Sequence, residues 1–177
     1  MTGRLVTQKG LDLILGARDL LAGDAQFVFL GSGEQRYEQA LVDLALWAPN
    51  RIGVQLDFTD RLEHRLMAGA DIFLMPSLYE PCGLTQMRSQ RYGAPPIVRS
   101  VGGLRDTVED GVTGFCFDAY TPEAFAEAAS RALECYADPP RWQTMMRRGM
   151  AADFSWERSV SQYLDVYRRA LARSGAR

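Results

Sequence analysis

Glu80, Gly83 and Thr85 stand within six residues of one another in SLYEPCGLTQ, directly after the apolar run Asp71–Met75. A carboxylate accepts hydrogen bonds well from sugar hydroxyls. A helix opened by glycine turns free backbone N–H groups and the positive end of its dipole toward an anion. Thr85 adds a hydroxyl donor in the first turn of that helix. Far upstream, GRLVTQKG supplies two cations, Arg4 and Lys9. Donors in one place and cations in another point to a phosphorylated ligand of the sugar-nucleotide kind. A simpler role remains open for Glu80, which would serve equally as a cap on the free N–H groups of its helix. Lys9 is the only lysine, against nineteen arginines. Either coding bias has removed the others, or this position needs a compact point charge on a flexible stem, which arginine does not supply.

Other chemistry-bearing residues are less pointed. Gly102-Gly103-Leu104 reads as a second turn after a strand, and Gly31-Ser32-Gly33 as a simple strand-to-helix turn. Neither follows the GxGxxG dinucleotide fingerprint. His64, the only histidine, lies inside an expected helix without a nucleophile motif beside it. Cys82 has no evident activating base, so its place in the turn matters more than its thiol. Arg147, Arg148, Arg168 and Arg169 read as solvated helix faces.

The elements that must position these residues alternate. Residues 10–22 carry apolar side chains at helical spacing, Gln26–Leu30 reads as a strand, and 34–47 as a helix. Arg51–Phe58 alternates like a strand with one apolar face. Asp60 is the expected cap of a helix over 61–69, followed by strand Asp71–Met75, helix 83–93 and strand Pro96–Arg99. Such β-α repetition predicts an α/β fold: a Rossmann-like parallel sheet with helices on both faces. Gly111–Phe117 follows as a turn and short strand. Thr121-Pro122-Glu123 opens a helix to about Tyr136. Pro139-Pro140 stops it, and Arg141–Ala151 and Trp156–Ala172 are two more helices. Residues 1–177 read as a single domain. A helix near Gly10 should be fed by a hydrophobic strand, which Met1-Thr2 is too short to form, so the first strand is expected to be missing.

Composition bounds the class. The chain has 177 residues, nearly half of them hydrophobic, and a net charge of -2. That size supports a sizeable core, and that charge argues against a nucleic-acid-coating protein. Cys82, Cys116 and Cys135 are an odd, widely spaced set, as in a reducing compartment. No apolar run approaches the roughly 20 residues needed to span a bilayer. The expectation is a soluble, cytoplasmic protein.

The long motifs RLVTQKGLDLIL, HRLMAGADIFLMPSLYEPCGLTQ, RYGAPPIVRSVGGLRDTV and GFCF together resemble the C-terminal domain of bacterial glycogen synthases and plant starch synthases. DFSWERSVSQYLDVYRRAL resembles that family's C-terminal segment, so the likeness runs nearly end to end. It implies the C-terminal half of a two-domain, GT-B retaining glucosyltransferase, acting in the cytoplasm, or in a plastid in plants. Such enzymes move glucose from ADP-glucose to the non-reducing end of an α-1,4-glucan, with no metal and no other cofactor. The resemblance implies that Arg4 and Lys9 neutralise the donor diphosphate. It places Glu80 on hydroxyls of the transferred glucose. Backbone groups of Cys82, Gly83 and Leu84 would hold sugar and phosphate, with the Thr85 hydroxyl on phosphate. Phe58 falls where relatives stack a tyrosine on adenine. In this family the acceptor glucan is held mainly by the N-terminal half, onto which the final helix packs.

Three departures stand out. Arg88 occupies the place of a second glutamate in the wider retaining group, a place usually not acidic in the synthases either, and Arg88, Ser89 and Gln90 replace a stretch that synthases usually keep apolar or aromatic. The spacer between GGLRDTV and GFCF is short. The N-terminal domain is absent. Two other functions remain: another retaining sugar-nucleotide transferase of GT-B architecture, or a non-catalytic module that binds glucan or a partner.

Overall fold

A computed structural model describes residues 1–175. Among them a single 3-10 turn, Thr7–Lys9, is followed by α1 (Leu11–Gly16), α2 (Arg18–Ala22), β1 (Phe27–Leu30), α3 (Gln35–Trp47) and β2 (Ile52–Gln55). Then come α4 (Asp60–Gly69), β3 (Phe73–Met75), α5 (Thr85–Arg91), β4 (Pro96–Arg99), α6 (Gly102–Thr107) and β5 (Phe115–Phe117). Three helices close the chain: α7 (Pro122–Tyr136), α8 (Pro139–Ala151) and α9 (Trp156–Ser174).

All strand pairs are parallel, β1 with β2 and β3 with β4 with β5. Successive side chains of a strand point to opposite faces, and both faces here are covered. Leu74 of β3 and Ile97 of β4 share one cluster with Leu11, Ile14, Phe125 and Ala128 from α1 and α7. Their neighbours Phe73, Met75 and Val98 join Met67 and Leu104 from α4 and α6. The expected parallel α/β fold with helices on both sides is therefore present, with its strands in two sets, β1–β2 and β3–β4–β5, in place of one continuous sheet.

Several local expectations change. The helix read over 10–22 breaks at Ala17, whose φ −82 and ψ 61 are not helical. Thr59, not Asp60, caps α4, its hydroxyl accepting from the Leu62 N–H at 3.2 Å. Gly102–Leu104 is no turn but the first stretch of α6. Pro139 and Pro140 do not sit outside a helix; they open α8, where missing N–H groups cost nothing, with Asp138 as cap. Strands β2 and β3 and helix α5 are shorter than their periodicity suggests.

Of the first strand, expected to be missing, only the last residues are present. Met1–Gly3 do pair as the end of a strand along the open edge of β1. The Met1 amino group donates to Val28 O at 2.9 Å, Leu30 N–H to Met1 O at 3.0 Å, and Gly3 N–H to Leu30 O at 2.9 Å. Beside Met1 a crevice of about 90 Å³ runs between the two sets of strands, lined by Phe27, Val28, Ile72 and Leu74 among others. Val28, on an otherwise buried strand, is 49% exposed.

Helix α9 has an apolar stripe, Trp156, Val160, Tyr163, Leu164, Tyr167 and Leu171, yet buries no residue. No helix among the described residues is long and apolar enough to cross a membrane.

Candidate functional site

The carboxyl ends of parallel strands gather the loops in which α/β folds bind ligands. After β3 the loop runs from Pro76 to Leu84, and the Thr7–Lys9 turn docks on it. Leu78 N–H donates to Gln8 O at 2.8 Å and the Gln8 side-chain amide to Tyr79 O at 3.1 Å. Gly10 makes that approach possible. Its φ is +73°, and a Cβ there would stand 1.9 Å from Pro76 O. The QKG glycine is thus required both by its backbone angle and by contact.

The docked turn delivers Lys9 to Glu80. Lys9 Nζ lies 2.6 Å from Glu80 Oε2, with 18% and 11% of the two side chains exposed. Ser77 Oγ donates to the same oxygen at 3.4 Å. The two residues read separately from sequence, one for phosphate and one for sugar, are each other's partner. The loop is held from beneath as well. Gly103 N–H donates to Glu80 O at 3.1 Å, and Arg99 Nη1 to Leu78 O at 2.6 Å. At Gly102, with φ +46°, a Cβ would meet Glu80 O at 2.1 Å, which explains why α6 opens with a glycine there.

Glu34 is a residue that sequence reasoning missed. It follows the Gly31-Ser32-Gly33 turn at the end of β1, and its Oε1 accepts from the Thr7 N–H at 3.0 Å. Arg36 Nε donates to its other oxygen at 2.9 Å. The Thr7 amide first, and then Arg36, hold the Glu34 carboxyl below the usual carboxylate range. Its effect is to pin the turn that carries Lys9. Only its place directly after a strand-end turn hinted at this.

The remaining expected site residues are placed as follows. Cys82, Gly83 and Leu84 complete the loop after Glu80, and half-buried Thr85 begins α5. Cys82 is an exposed free thiol whose Sγ contacts only its neighbour's carbonyl, Gly83 O, at 3.6 Å. Burial pushes the Cys116 thiol up to about 11. Arg4 is exposed, and Phe58, past the end of β2, is 43% exposed. Among the described residues no hydrogen bond or ion pair ties either to Lys9 or Glu80.

The polar side chains of helix α5 find acceptors on neighbouring elements, while Gln86 Oε1 and Gln90 Oε1 stay buried without a partner among the described residues. Gln86, Ser89 and Gln90 are buried. The Gln86 amide donates to Gly83 O and Thr107 Oγ1, both at 2.9 Å, and the Gln90 amide to Thr107 O at 2.9 Å. Gln86 therefore staples the Cys82–Gly83 turn to α6. Arg88 reaches Glu63 on α4 at 3.2 Å, and buried Glu63 also accepts from Thr2 Oγ1 at 2.7 Å. One carboxylate thus joins the first residues of the chain, α4 and α5.

Removing one partner of a buried ion pair leaves an uncompensated charge, at about 3–5 kcal/mol when fully buried. The Arg88 side chain is 49% exposed, so water can enter once it is cut away. We expect Arg88→Ala to cost roughly 1–2 kcal/mol, measured by urea unfolding. Adding Glu63→Gln should recover much of that loss. A double variant as weak as the sum of the singles would show that the pair is not coupled.

Comparison with known proteins places the chain in a family. The chain is 49% identical over 180 residues to glycogen synthase 2 of Nitrosococcus oceani, covering 96% of this chain and 37% of that protein. It is 50% identical over 177 residues to a glycogen synthase of Thioalkalivibrio sulfidiphilus, covering 94% and 37%. The catalytic domain of starch synthase IV from Arabidopsis thaliana, solved with ADP and acarbose, superposes with a TM-score of 0.83 at 35% identity. That match covers 97% of this chain and 38% of the other. The chain thus spans a little over a third of the length of these relatives, as expected for the C-terminal half of a GT-B transferase. The family described as glycosyl transferases group 1 matches residues 1–148. With that match over most of its length, the chain belongs to the group 1 glycosyl transferases.

Proposed function

We propose that residues 1–177 form one nucleotide-sugar-binding domain, the donor half of a cytoplasmic retaining glucosyltransferase that extends α-1,4-glucan from ADP-glucose. The observation that carries this reading is the Lys9–Glu80 pair at 2.6 Å on the carboxyl edge of the sheet. A cation and a carboxylate side by side match a ligand with a diphosphate next to a neutral, hydroxyl-rich ring. The glycogen synthase relatives and the ADP-bound starch synthase support the choice of nucleotide and polymer. Arg4, exposed and on the same segment as Lys9, adds charge for the diphosphate. Phe58 offers an open ring to adenine, and the loop from Cys82 to Thr85 holds sugar and phosphate. No catalytic metal or other cofactor enters this reading. Three free thiols suit a reducing compartment.

The pair also couples the two roles. While Lys9 holds Glu80, one carboxylate oxygen and one ammonium N–H are engaged with each other. A diphosphate that draws Lys9 away releases the Glu80 carboxylate for the glucose hydroxyls. Each charge-assisted bond is worth about 1.5–3 kcal/mol. Lys9→Ala should therefore weaken ADP binding roughly ten-fold or more while AMP, lacking the second phosphate, changes little. Part of that loss comes from the unpaired Glu80 carboxylate beside the phosphates, so Lys9→Ala with Glu80→Gln should bind ADP better than Lys9→Ala alone. Calorimetry with ADP and AMP on the three proteins decides it. Equal losses for the two nucleotides would contradict the assigned roles.

A further inference from the structure

Away from this site, the break at Ala17 opens a groove between α2 and α3. It measures about 600 Å³ and is lined by Leu15, Leu21, Leu44, Asp19, Asp43 and Trp47, among others. That volume lies within the usual range for small-ligand clefts, about 300–1,000 Å³. Trp47 ends α3 and is 61% exposed, although Tyr37 on the same helix is only 2% exposed. The Arg51 guanidinium stands 5.7 Å from the Trp47 ring centroid. Arg51 is itself anchored to the carbonyls of Leu21 and Gly23. It is not among the residues that line the groove, so it steadies the indole and leaves the groove side of the ring free. Asp43 sits one helical turn before Trp47, on the same face. It is engaged only by Gln39 of its own helix among the described residues. Asp19 faces it from α2 across the groove.

The chemistry of this lining selects its occupant. An open indole face stacks on the C–H face of a sugar ring. Carboxylates beside it accept bonds from ring hydroxyls, whereas two carboxylates repel a phosphate. An apolar helix would have to bury Asp19 and Asp43 unpaired. We propose that the Trp47 groove is a second saccharide site, which holds a few units of linear α-1,4-glucan away from the transfer site. The polymer's identity rests on the function proposed above. Helix α3 starts at the carboxyl edge of the sheet, after β1, and ends at Trp47 before β2 begins. The groove therefore lies at the opposite edge from Lys9 and Glu80. The units held there are thus not the ones being extended. The groove would act as a tether, raising the local concentration of polymer ends.

Maltoheptaose, followed by tryptophan fluorescence and calorimetry on the 177-residue chain, is the probe. Weak, millimolar binding is expected. Trp47→Ala should weaken it at least about five-fold, Asp43→Asn a few-fold, and Trp47→Phe should keep a stacking face and most of the affinity. Because Trp47 is mostly exposed, these variants should fold, which ADP binding at wild-type strength would confirm. Unchanged maltoheptaose binding by Trp47→Ala, with ADP binding intact, overturns the groove and leaves the donor-site reading standing. Loss of ADP binding in the unsubstituted chain with maltoheptaose binding intact does the reverse. Sedimentation gives the third arm: if Trp47→Ala dissociates a dimer without changing maltoheptaose affinity, a second copy covers the groove and the saccharide site is overturned.

Discussion

The purified 177-residue chain should transfer essentially no labelled glucose from ADP-glucose to glycogen, and a separately supplied N-terminal half of a close relative should restore transfer. Acceleration requires groups that contact the reacting carbon from more than one side and hold donor and acceptor in line. Here Lys9 and Glu80 come from loops at the carboxyl ends of two neighbouring sets of parallel strands, and Tyr79 and Leu84 beside them stay exposed. Nothing among the described residues walls the other side, so water would enter where a closed cleft should exclude it. Intramolecular positioning alone corresponds to effective molarities of about 10⁵–10⁸ M, so a loss of at least roughly 10⁴-fold is expected. The stripe from Trp156 to Leu171 on α9 offers an apolar surface for the added half, and until covered it favours self-association. Robust turnover by the chain alone would sink the two-domain reading, whereas ADP binding without turnover fits it.

The second large effect concerns stability. Adding five Val- and Ile-rich residues ahead of Met1 should raise the melting temperature by roughly 6–12 °C, on the scale of about 2–4 °C per kcal/mol for this size. The reason lies in which way the strand groups face. Phe27 N–H bonds to Arg51 O on the β2 side, so Val28 faces the crevice; Phe73 N–H bonds to Pro95 O, so Leu74 does too. An extension would pair with both at once and cover Val28, Ile72 and Leu133 on the crevice walls. Each buried apolar side chain contributes about 1.5–3 kcal/mol, much of it offset by about 1–2 kcal/mol per residue of backbone ordering.

The extension should also change the pH dependence. Burial lowers the Met1 amino group from 8.0 to about 5. Between those values the unfolded chain binds a proton that the folded chain does not, so stability falls as pH drops through that window. An extended chain carries an amide there and loses this slope. Equal melting temperatures for the two chains at pH 8.5, where the amino group is largely neutral in both states, would show that the crevice accepts no strand.

Much of this protein is legible from its residue order, because helix and strand periods are local properties. The alternation from Gln26 to Arg99, with caps such as Thr121 before Pro122, was enough for a parallel α/β sheet. The strings around QKG and EPCGLTQ were enough for the family. Local pattern could not reveal the break at Ala17, since Leu11 to Leu21 keep a helical spacing through it. Nor could it show that Lys9 and Glu80, 71 positions apart, bind one another. That contact depends on Gly10 letting the first turn press on Pro76 and on Glu34 holding Thr7. The same holds for Arg88, which looks misplaced on its own helix and finds its carboxylate on α4. Sequence order determined the elements and the residue types at the site. Only the packing of the sheet decided which charges meet, because ion pairs form between groups that folding brings together, however far apart they lie along the chain.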